Sequence, residues 1–219
     1  MLFEDICNNR KKSFMKEEIN PQETSRGKAF SLWMSSPMPM VTLVKTFDVT
    51  TLQKHCKKQK LSFNMLLCWC IGKAASKMEE FYMLPENGKL FRYDRLAINV
   101  IVENSKGGIN SCDIPFSDDL QQFNHDYLTL TAQASNESKS IMLDDYMVIG
   151  TSAMIQTELD CIVNQYTDKF CNPMVMWGKY HKGWFKTTLP ISFQFHHVQM
   201  DGGHGARFLE HLQDEINKM

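Results

Sequence analysis

Leu189-Pro190-Ile191-Ser192-Phe193-Gln194-Phe195-His196-His197-Val198-Gln199-Met200-Asp201-Gly202 reads as a strand that runs into a helix. Side chains along a strand alternate between its two faces. Ile191, Phe193 and Phe195 therefore share one face, and Ser192 and Gln194 the other. If the alternation persists, His197 goes with the apolar face and His196 with the polar one. Asp201 follows four residues later, and Gly202-Gly203 turns the chain into a second apolar pattern, Ala206, Leu209, Leu212 and Ile216, at helical spacing. An imidazole fixed at the end of a buried strand is one way to position a general base. Each residue also has a plainer use: a core histidine, an aspartate N-cap, a glycine turn.

The segments upstream fit the same kind of sheet. Met40 to Val49 alternates around β-forming residues, and Asp48 to Thr51 supplies caps for a short helix to about Lys58. From Ser62 onward, Phe63, Leu66, Leu67, Cys70, Ile71, Ala74, Ala75 and Met78 form one continuous apolar stripe, the strongest helix signal in the chain. Pro85 to Gly88 is a turn, and Leu90 to Val102 gives two strand-like stretches. Gly107-Gly108 precedes a strand from Ile109 to Ile114, and Ser117 to Asp119 caps a helix through Ala134. Tyr146 to Ala153 and Pro173 to Lys179 read as further strands. Residues 1–24 are polar, contain Pro21, and read as an irregular arm. With no repeat or linker in between, the order predicts one α/β domain over residues 1–219. Its expected architecture is a two-layer sandwich, a mixed sheet covered by helices on one face.

Composition narrows the function. A hydrophobic fraction of 43% with 22% charge excludes wholesale disorder. The 24 basic and 25 acidic residues leave a net charge of −1, so no nucleic-acid partner is expected. Arg10-Lys11-Lys12 and Lys57-Lys58 with Lys60 are too short to alter that and read as solvated faces. The N-terminal residues lack the pattern of a signal peptide, and no apolar run reaches the ~18 residues a bilayer needs. The expectation is a cytoplasmic protein without a membrane partner. Seven cysteines are scattered without CxxC spacing, and Cys68 and Cys70 stand roughly 200° apart on their helix. They read as reduced, mostly buried thiols rather than ligands or nucleophiles. His197, Asp201 and His204 match no common zinc spacing, so no metal is expected.

Gln194 to Gly202, with Leu189-Pro190, His204, Arg207 and Leu209, resembles the HHxxxDG region of chloramphenicol acetyltransferases, a signature shared with dihydrolipoyl acyltransferase catalytic domains. Trp177-Gly178-Lys179-Tyr180 is similar to that family's Met-Gly-Lys-Tyr segment. Asn87-Gly88-Lys89-Leu90 with Tyr93-Asp94, and Arg26 ahead of Phe47-Asp48-Val49-Thr50, follow in the family's order and spacing. The resemblance covers about residues 25 to 217. The chain's length and the lack of a lipoyl region point to the antibiotic-acetylating branch.

The resemblance implies a homotrimer with active sites between subunits and acetyl transfer from acetyl-CoA to a small-molecule hydroxyl, with chloramphenicol the suggested acceptor. It makes His197 the base, pairs Asp201 with Arg26, places Lys179 and Tyr180 near the coenzyme, and sets Trp33 against the acceptor. The sequence also departs from the family. The serine that serves the oxyanion aligns with Ile149, and a threonine before the Met-Gly-Lys-Tyr segment becomes Met176. Thr151 and Ser152 are the nearby hydroxyls that can replace the serine. An oxyanion donor is worth roughly 10²–10³ in turnover. The alternative expectation is therefore a catalytically weakened trimeric relative that binds CoA or another ligand.

Overall fold

In the computed structural model, which describes residues 16–167 and 169–219, the chain alternates short strands with five helices. It runs β1 (Lys16–Ile19), a 3-10 turn (Pro21–Glu23), α1 (Gly27–Trp33), β2 (Met40–Asp48), α2 (Thr50–Gln59) and α3 (Phe63–Ala75). A second 3-10 turn (Glu79–Tyr82) leads to β3 (Met83–Glu86), β4 (Lys89–Tyr93), β5 (Leu96–Glu103), β6 (Ile109–Pro115) and α4 (Leu120–Glu137). β7 (Met147–Met154), β8 (Met174–Gly178), β9 (His181–Lys182), β10 (Thr187–His196) and α5 (Gly202–Asn217) complete it.

The large sheet has the order β2-β10-β8-β7-β5-β6, with β9 beside β10. It is mixed: β7 is parallel to both β5 and β8, and the other pairs are antiparallel. A small sheet, β1-β4-β3, lies apart from it in hydrogen bonding. Helices begin where the sequence supplies acceptors. Asp119 accepts the Gln121 and Gln122 N–H groups at 2.8 and 3.3 Å, and Asp48 accepts the Thr50 N–H at 3.1 Å. Between β3 and β4, Asn87 and Gly88 both take positive φ, 50° and 77°, as a tight hairpin turn requires.

One face of the sheet carries the helices. Ile98, Ile149, Val175, Trp177, Ile191, Phe193 and Phe195 are buried there with Leu66, Ile71, Phe208 and Leu212 in one apolar cluster. Phe193 and Phe208 pack with ring centroids 4.5 Å apart. Each such side chain contributes about 1.5–3 kcal/mol by leaving water. α5 lies so close to the sheet that a Cβ on Gly205 would come within 2.7 Å of Leu43 and of the Phe195 ring. The opposite face is covered by irregular residues 155–167 and 169–173. Ser192 Oγ accepts the Ile162 N–H at 2.8 Å, and Gln194 Nε2 donates to the Asn164 carbonyl at 3.2 Å.

The two-layer, mixed-sheet architecture is the one the sequence predicts. Three details differ. The described part of the expected irregular arm contains strand β1 and a 3-10 turn, while residues 1–15 lie outside the described residues. Helix α1 has no sequence signal because Arg26 stands at its N-cap and makes no side-chain cap bond. The strand after Thr187 ends at His196, so alternation does not set the direction of His197.

Cys56, Cys68, Cys70, Cys112 and Cys171 are buried and Cys161 is exposed, whereas Cys7 lies outside the described residues. Burial pushes the Cys56 and Cys112 thiols up to about 11 and Cys68 to about 12. Such thiols carry little thiolate, the form that attacks or binds metal. Among the described residues no group of three or more His, Cys, Asp and Glu is placed to hold a metal ion, and no helix is long and apolar enough to cross a membrane.

Candidate active site

β10 loses its neighbour at His196, which pairs with Met40, the first residue of β2. The next residues turn back on themselves. Gln199 and Met200 donate N–H to the His196 carbonyl at 2.9 and 3.1 Å, and the His197 N–H donates to the Pro39 carbonyl at 2.7 Å. Val198 is buried in a small apolar cluster with Met83 and Leu90 of the β3–β4 hairpin. Gln199 reaches the same hairpin, donating from Nε2 to the Met83 carbonyl at 2.8 Å.

Arg26 fixes this turn from the side. Its guanidinium is buried and makes four hydrogen bonds: Nε to the Val198 carbonyl at 2.8 Å, Nη2 to the His197 carbonyl at 2.9 Å, and Nη1 and Nη2 to the two Asp201 oxygens at 2.7 and 2.9 Å. A planar fork matched to a carboxylate in this way is specific to arginine. Those bonds hold the Asp201 carboxyl below the usual carboxylate range, against a smaller opposing effect of burial. Asp201 also opens α5, and its N–H donates to His204 Nδ1 at 3.1 Å.

The two adjacent histidines have different surroundings. His196 is buried, and its Nδ1 accepts the Val198 N–H at 3.0 Å. Burial, with a smaller contribution from His197, pushes its pKa down to about 4. It is neutral at physiological pH and serves the turn. The His197 side chain keeps 27% of its surface open. Its Nδ1 is enclosed, makes no hydrogen bond of good geometry, and stands 3.3 Å from Asp201 Oδ1. The open part of the ring is therefore elsewhere. A carboxylate beside Nδ1 favours the tautomer with the proton on that nitrogen, which leaves the Nε2 lone pair free. The Trp33 indole stacks on the imidazole with centroids 4.6 Å apart and planes 10° from parallel.

A sequence profile described as chloramphenicol acetyltransferase matches residues 14–213. The chain belongs to that family. Chloramphenicol acetyltransferase 3 of Escherichia coli is 26% identical over 184 residues, 80% of this chain and 85% of the relative. A solved chloramphenicol acetyltransferase superposes with a TM-score of 0.80 at 19% identity, covering 92% of this chain and all of that one. The truncated catalytic core of a 2-oxoacid dehydrogenase complex from Thermoplasma acidophilum follows with a TM-score of 0.68 at 14% identity, covering 92% and 97%. Family membership makes the protein an acyltransferase.

The remaining residues singled out in the sequence lie in other parts of the sheet. Ile149 is fully buried in the helix-side core and Met176 is buried beside Ser192, its partner on β10. Thr151 is buried on the helix side and donates its hydroxyl to the Asn99 carbonyl at 2.7 Å. The Ser152 hydroxyl, on the other face, has no hydrogen-bond partner among the described residues, while its backbone pairs with Met176 on β8. Thr151 and Ser152 line a hollow of about 430 Å³ together with Asn64, Ile155 and Trp177. Those last three also line a hollow of about 330 Å³ beside Lys179 and Tyr180, so the two spaces adjoin. Tyr180 packs on Phe63 with centroids 5.0 Å apart.

A larger cavity, about 660 Å³, lies between the helix-free face of the sheet, the β3–β4 hairpin and the covering segment. Asn99, Asp113, Gly150 and Gln194 are in its wall and His197 is not. From the sequence, Gln194 reads only as part of a polar face, and Asn99 and Asp113 are not singled out. The signal was present in the alternation: Asn99 and Asp113 are polar residues inside strands whose other members are largely apolar.

Proposed function

We propose that this chain is a single acyltransferase domain that moves an acetyl group from acetyl-CoA to a hydroxyl of a small molecule, with His197 as general base. The observation that carries this is the His197 ring, partly open, with Nδ1 enclosed beside Asp201 and the whole turn held by Arg26. Nε2 takes the proton of the acceptor hydroxyl as its oxygen attacks the thioester carbon. The tetrahedral adduct then collapses, the C–S bond breaks, and the proton passes from Nε2 to the departing sulfur. An O-acetyl ester and free CoA result. General-base assistance of this kind is worth roughly 10²–10⁴ in rate.

The adjoining hollows beside Lys179, Tyr180 and Ser152 suit an elongated thioester co-substrate, with the Lys179 ammonium available to a phosphate. Of the two candidate hydroxyls, Ser152 is the one with a free donor, since Thr151 already gives its proton to Asn99. We further propose a cytoplasmic homotrimer in which His197 of one subunit serves the large cavity of another. The position of His197 outside the cavity wall of its own chain supports this. Chloramphenicol is the acceptor suggested by the family.

The test is acetyl-CoA-dependent thiol release over a panel of hydroxylated acceptors that includes chloramphenicol. Turnover that His197→Ala removes is the expected result, and no release with any acceptor counts against it. A second reading, a trimer that binds CoA without efficient acetylation, is favoured by the burial of Ile149 and Met176 where the family carries hydroxyls. Thermal stabilisation by CoA without turnover is its mark.

A further inference from the structure

The wall of the large cavity is rich in hydrogen-bond acceptors. Asn99 donates both amide hydrogens inward, to Ser111 Oγ and to Asp113 Oδ1, each at 2.6 Å, which leaves only its own oxygen for a ligand. Gln194 donates to Thr42 Oγ1 at 3.1 Å and to the Asn164 carbonyl at 3.2 Å. A main-chain carbonyl accepts only, so it fixes which end of that amide is nitrogen. Gln194 Oε1 is then buried, in a residue 1% exposed, without any partner. A buried acceptor left unsatisfied costs about 1–3 kcal/mol, which a donor on a ligand would remove.

Asp113 adds charge to this wall. It is 1% exposed, and each carboxylate oxygen has one donor: Asn99 Nδ2 on Oδ1 and the Leu143 N–H, at 2.9 Å, on Oδ2. A carboxylate oxygen accepts two, so each has room for another. Burial, with a smaller contribution from Asp144, pushes the Asp113 carboxyl up against those two bonds. Among the other charged groups of the wall, Lys16 is paired with Glu86 at 2.7 Å, leaving Asp113 and Asp144 against Lys169.

We propose that the acyl acceptor is an alcohol bearing an ammonium group, held by Asp113 and the Asn99 oxygen, while Gln194 Oε1, three strands away across the cavity, offers a further acceptor to the rest of the molecule. This rests on the acetyltransferase reading above and names the acceptor class for it. A wall of acceptors rejects a ligand that brings only carbonyl oxygens, because two acceptors face each other across a space without water. An ammonium supplies up to three donors and a charge opposite to that of Asp113.

Two compounds that differ at one nitrogen test this. 2-Amino-1-(4-nitrophenyl)propane-1,3-diol is an ammonium near neutral pH, and chloramphenicol is its neutral dichloroacetamide with the same primary hydroxyl. Thiol release with acetyl-CoA at pH 7 is expected to give the amine a kcat/KM at least 10-fold above that of the amide. Asp113→Asn should reduce that preference to within 2-fold with the acetyl-CoA KM unchanged. Asn99→Ser is the second variant if Asp113→Asn fails to fold, and it should reduce the preference at least 3-fold. Equal or better use of chloramphenicol by the unaltered protein overturns the proposal and leaves the acetyltransferase reading intact. If neither compound is acetylated, the wider acceptor panel decides the acetyltransferase reading, and calorimetry with the amine decides the cavity. Binding lost in Asp113→Asn supports the proposal, and no binding overturns it.

Discussion

In the turn after β10, one arginine donates four hydrogen bonds to two carbonyls and a carboxylate, whereas in the cavity wall Gln194 Oε1 is buried with no donor at all. Both regions lie next to β10, and both set polar atoms in the interior of the protein. At the turn the guanidinium satisfies the His197 and Val198 carbonyls and the Asp201 carboxylate, which fixes the backbone that carries His197, although His197 Nδ1 and Gln199 Oε1 have no partner. In the cavity the donors of Asn99 and Gln194 are tied within the protein and the acceptors are left over. The turn spends its one strong donor on its own backbone, whereas the cavity keeps acceptors that a ligand can reach. Substitutions at each place therefore have different signatures: those at the turn disturb geometry and stability, and those in the cavity alter which molecule is used.

His197→Ala is the largest expected effect on activity, a fall of roughly 10²–10⁴ in kcat for thiol release. The side chain is partly open and makes no hydrogen bond of good geometry, so denaturant unfolding should move by no more than about 1 kcal/mol. A loss of stability as large as the loss of activity would place His197 with the structural residues of the turn.

Arg26→Ala removes the donor from all four acceptors and leaves Asp201 beside the turn without its cation. Breaking a buried pair costs about 3–5 kcal/mol. The Asp201 side chain is 49% exposed and can recover water, so the lower end, about 3 kcal/mol, is expected in urea unfolding. Arg26→Lys keeps the charge but presents no fork, and should recover less than half. Full recovery by lysine would show that charge alone holds the turn.

His196 gives this region a pH dependence. Its folded pKa, about 4, lies below the unfolded value of ~6.5, so the unfolded chain binds the extra proton between those pH values. Stability is then fully present above pH ~6.5 and is lost as pH falls toward 4, by roughly 3 kcal/mol in total. His196→Asn keeps an acceptor near the position of Nδ1 but cannot titrate. Urea midpoints measured from pH 7 to pH 4.5 should fall less steeply in this variant than in the unaltered protein. Parallel slopes would remove His196 as the source.

How far these regions are legible in the sequence follows from how each is built. The two-residue period of Ile191 to Phe195 and the helical spacing after Gly202 are local, and they place the histidines at a strand-to-helix junction. The direction of His197 is not local. Alternation assigns it to the apolar face, but β10 has no partner beyond Met40, and the ring follows the bond to Pro39 and the stack on Trp33 instead. Arg26 is 175 positions from Asp201, so that pair is visible in sequence only through family resemblance. The cavity is harder still. Asn99 and Asp113 meet through strand pairing and Gln194 stands three strands away in the same wall, under residues 155–167 and 169–173, which have no periodicity. α1 is not legible because seven residues without a capping acceptor carry no signal, although that helix and its N-cap deliver Trp33 and Arg26.

The smallest effect tests whether the stack belongs with the turn or with the cavity. Trp33 is 36% exposed and lies parallel to the imidazole, so it restricts the ring without sharing a hydrogen bond with it. Aromatic pairs are worth about 0.5–1.5 kcal/mol beyond the area they bury, equivalent to a change of about 2- to 12-fold. If Trp33 positions His197, Trp33→Leu lowers kcat by that factor and leaves the KM of the acceptor unchanged, and Trp33→Phe restores most of the loss. If Trp33 instead touches the acceptor, the same variant raises KM, and does so differently for chloramphenicol and its amine. A rise in KM with kcat intact would move Trp33 from the side of the molecule that holds the base to the side that selects the substrate.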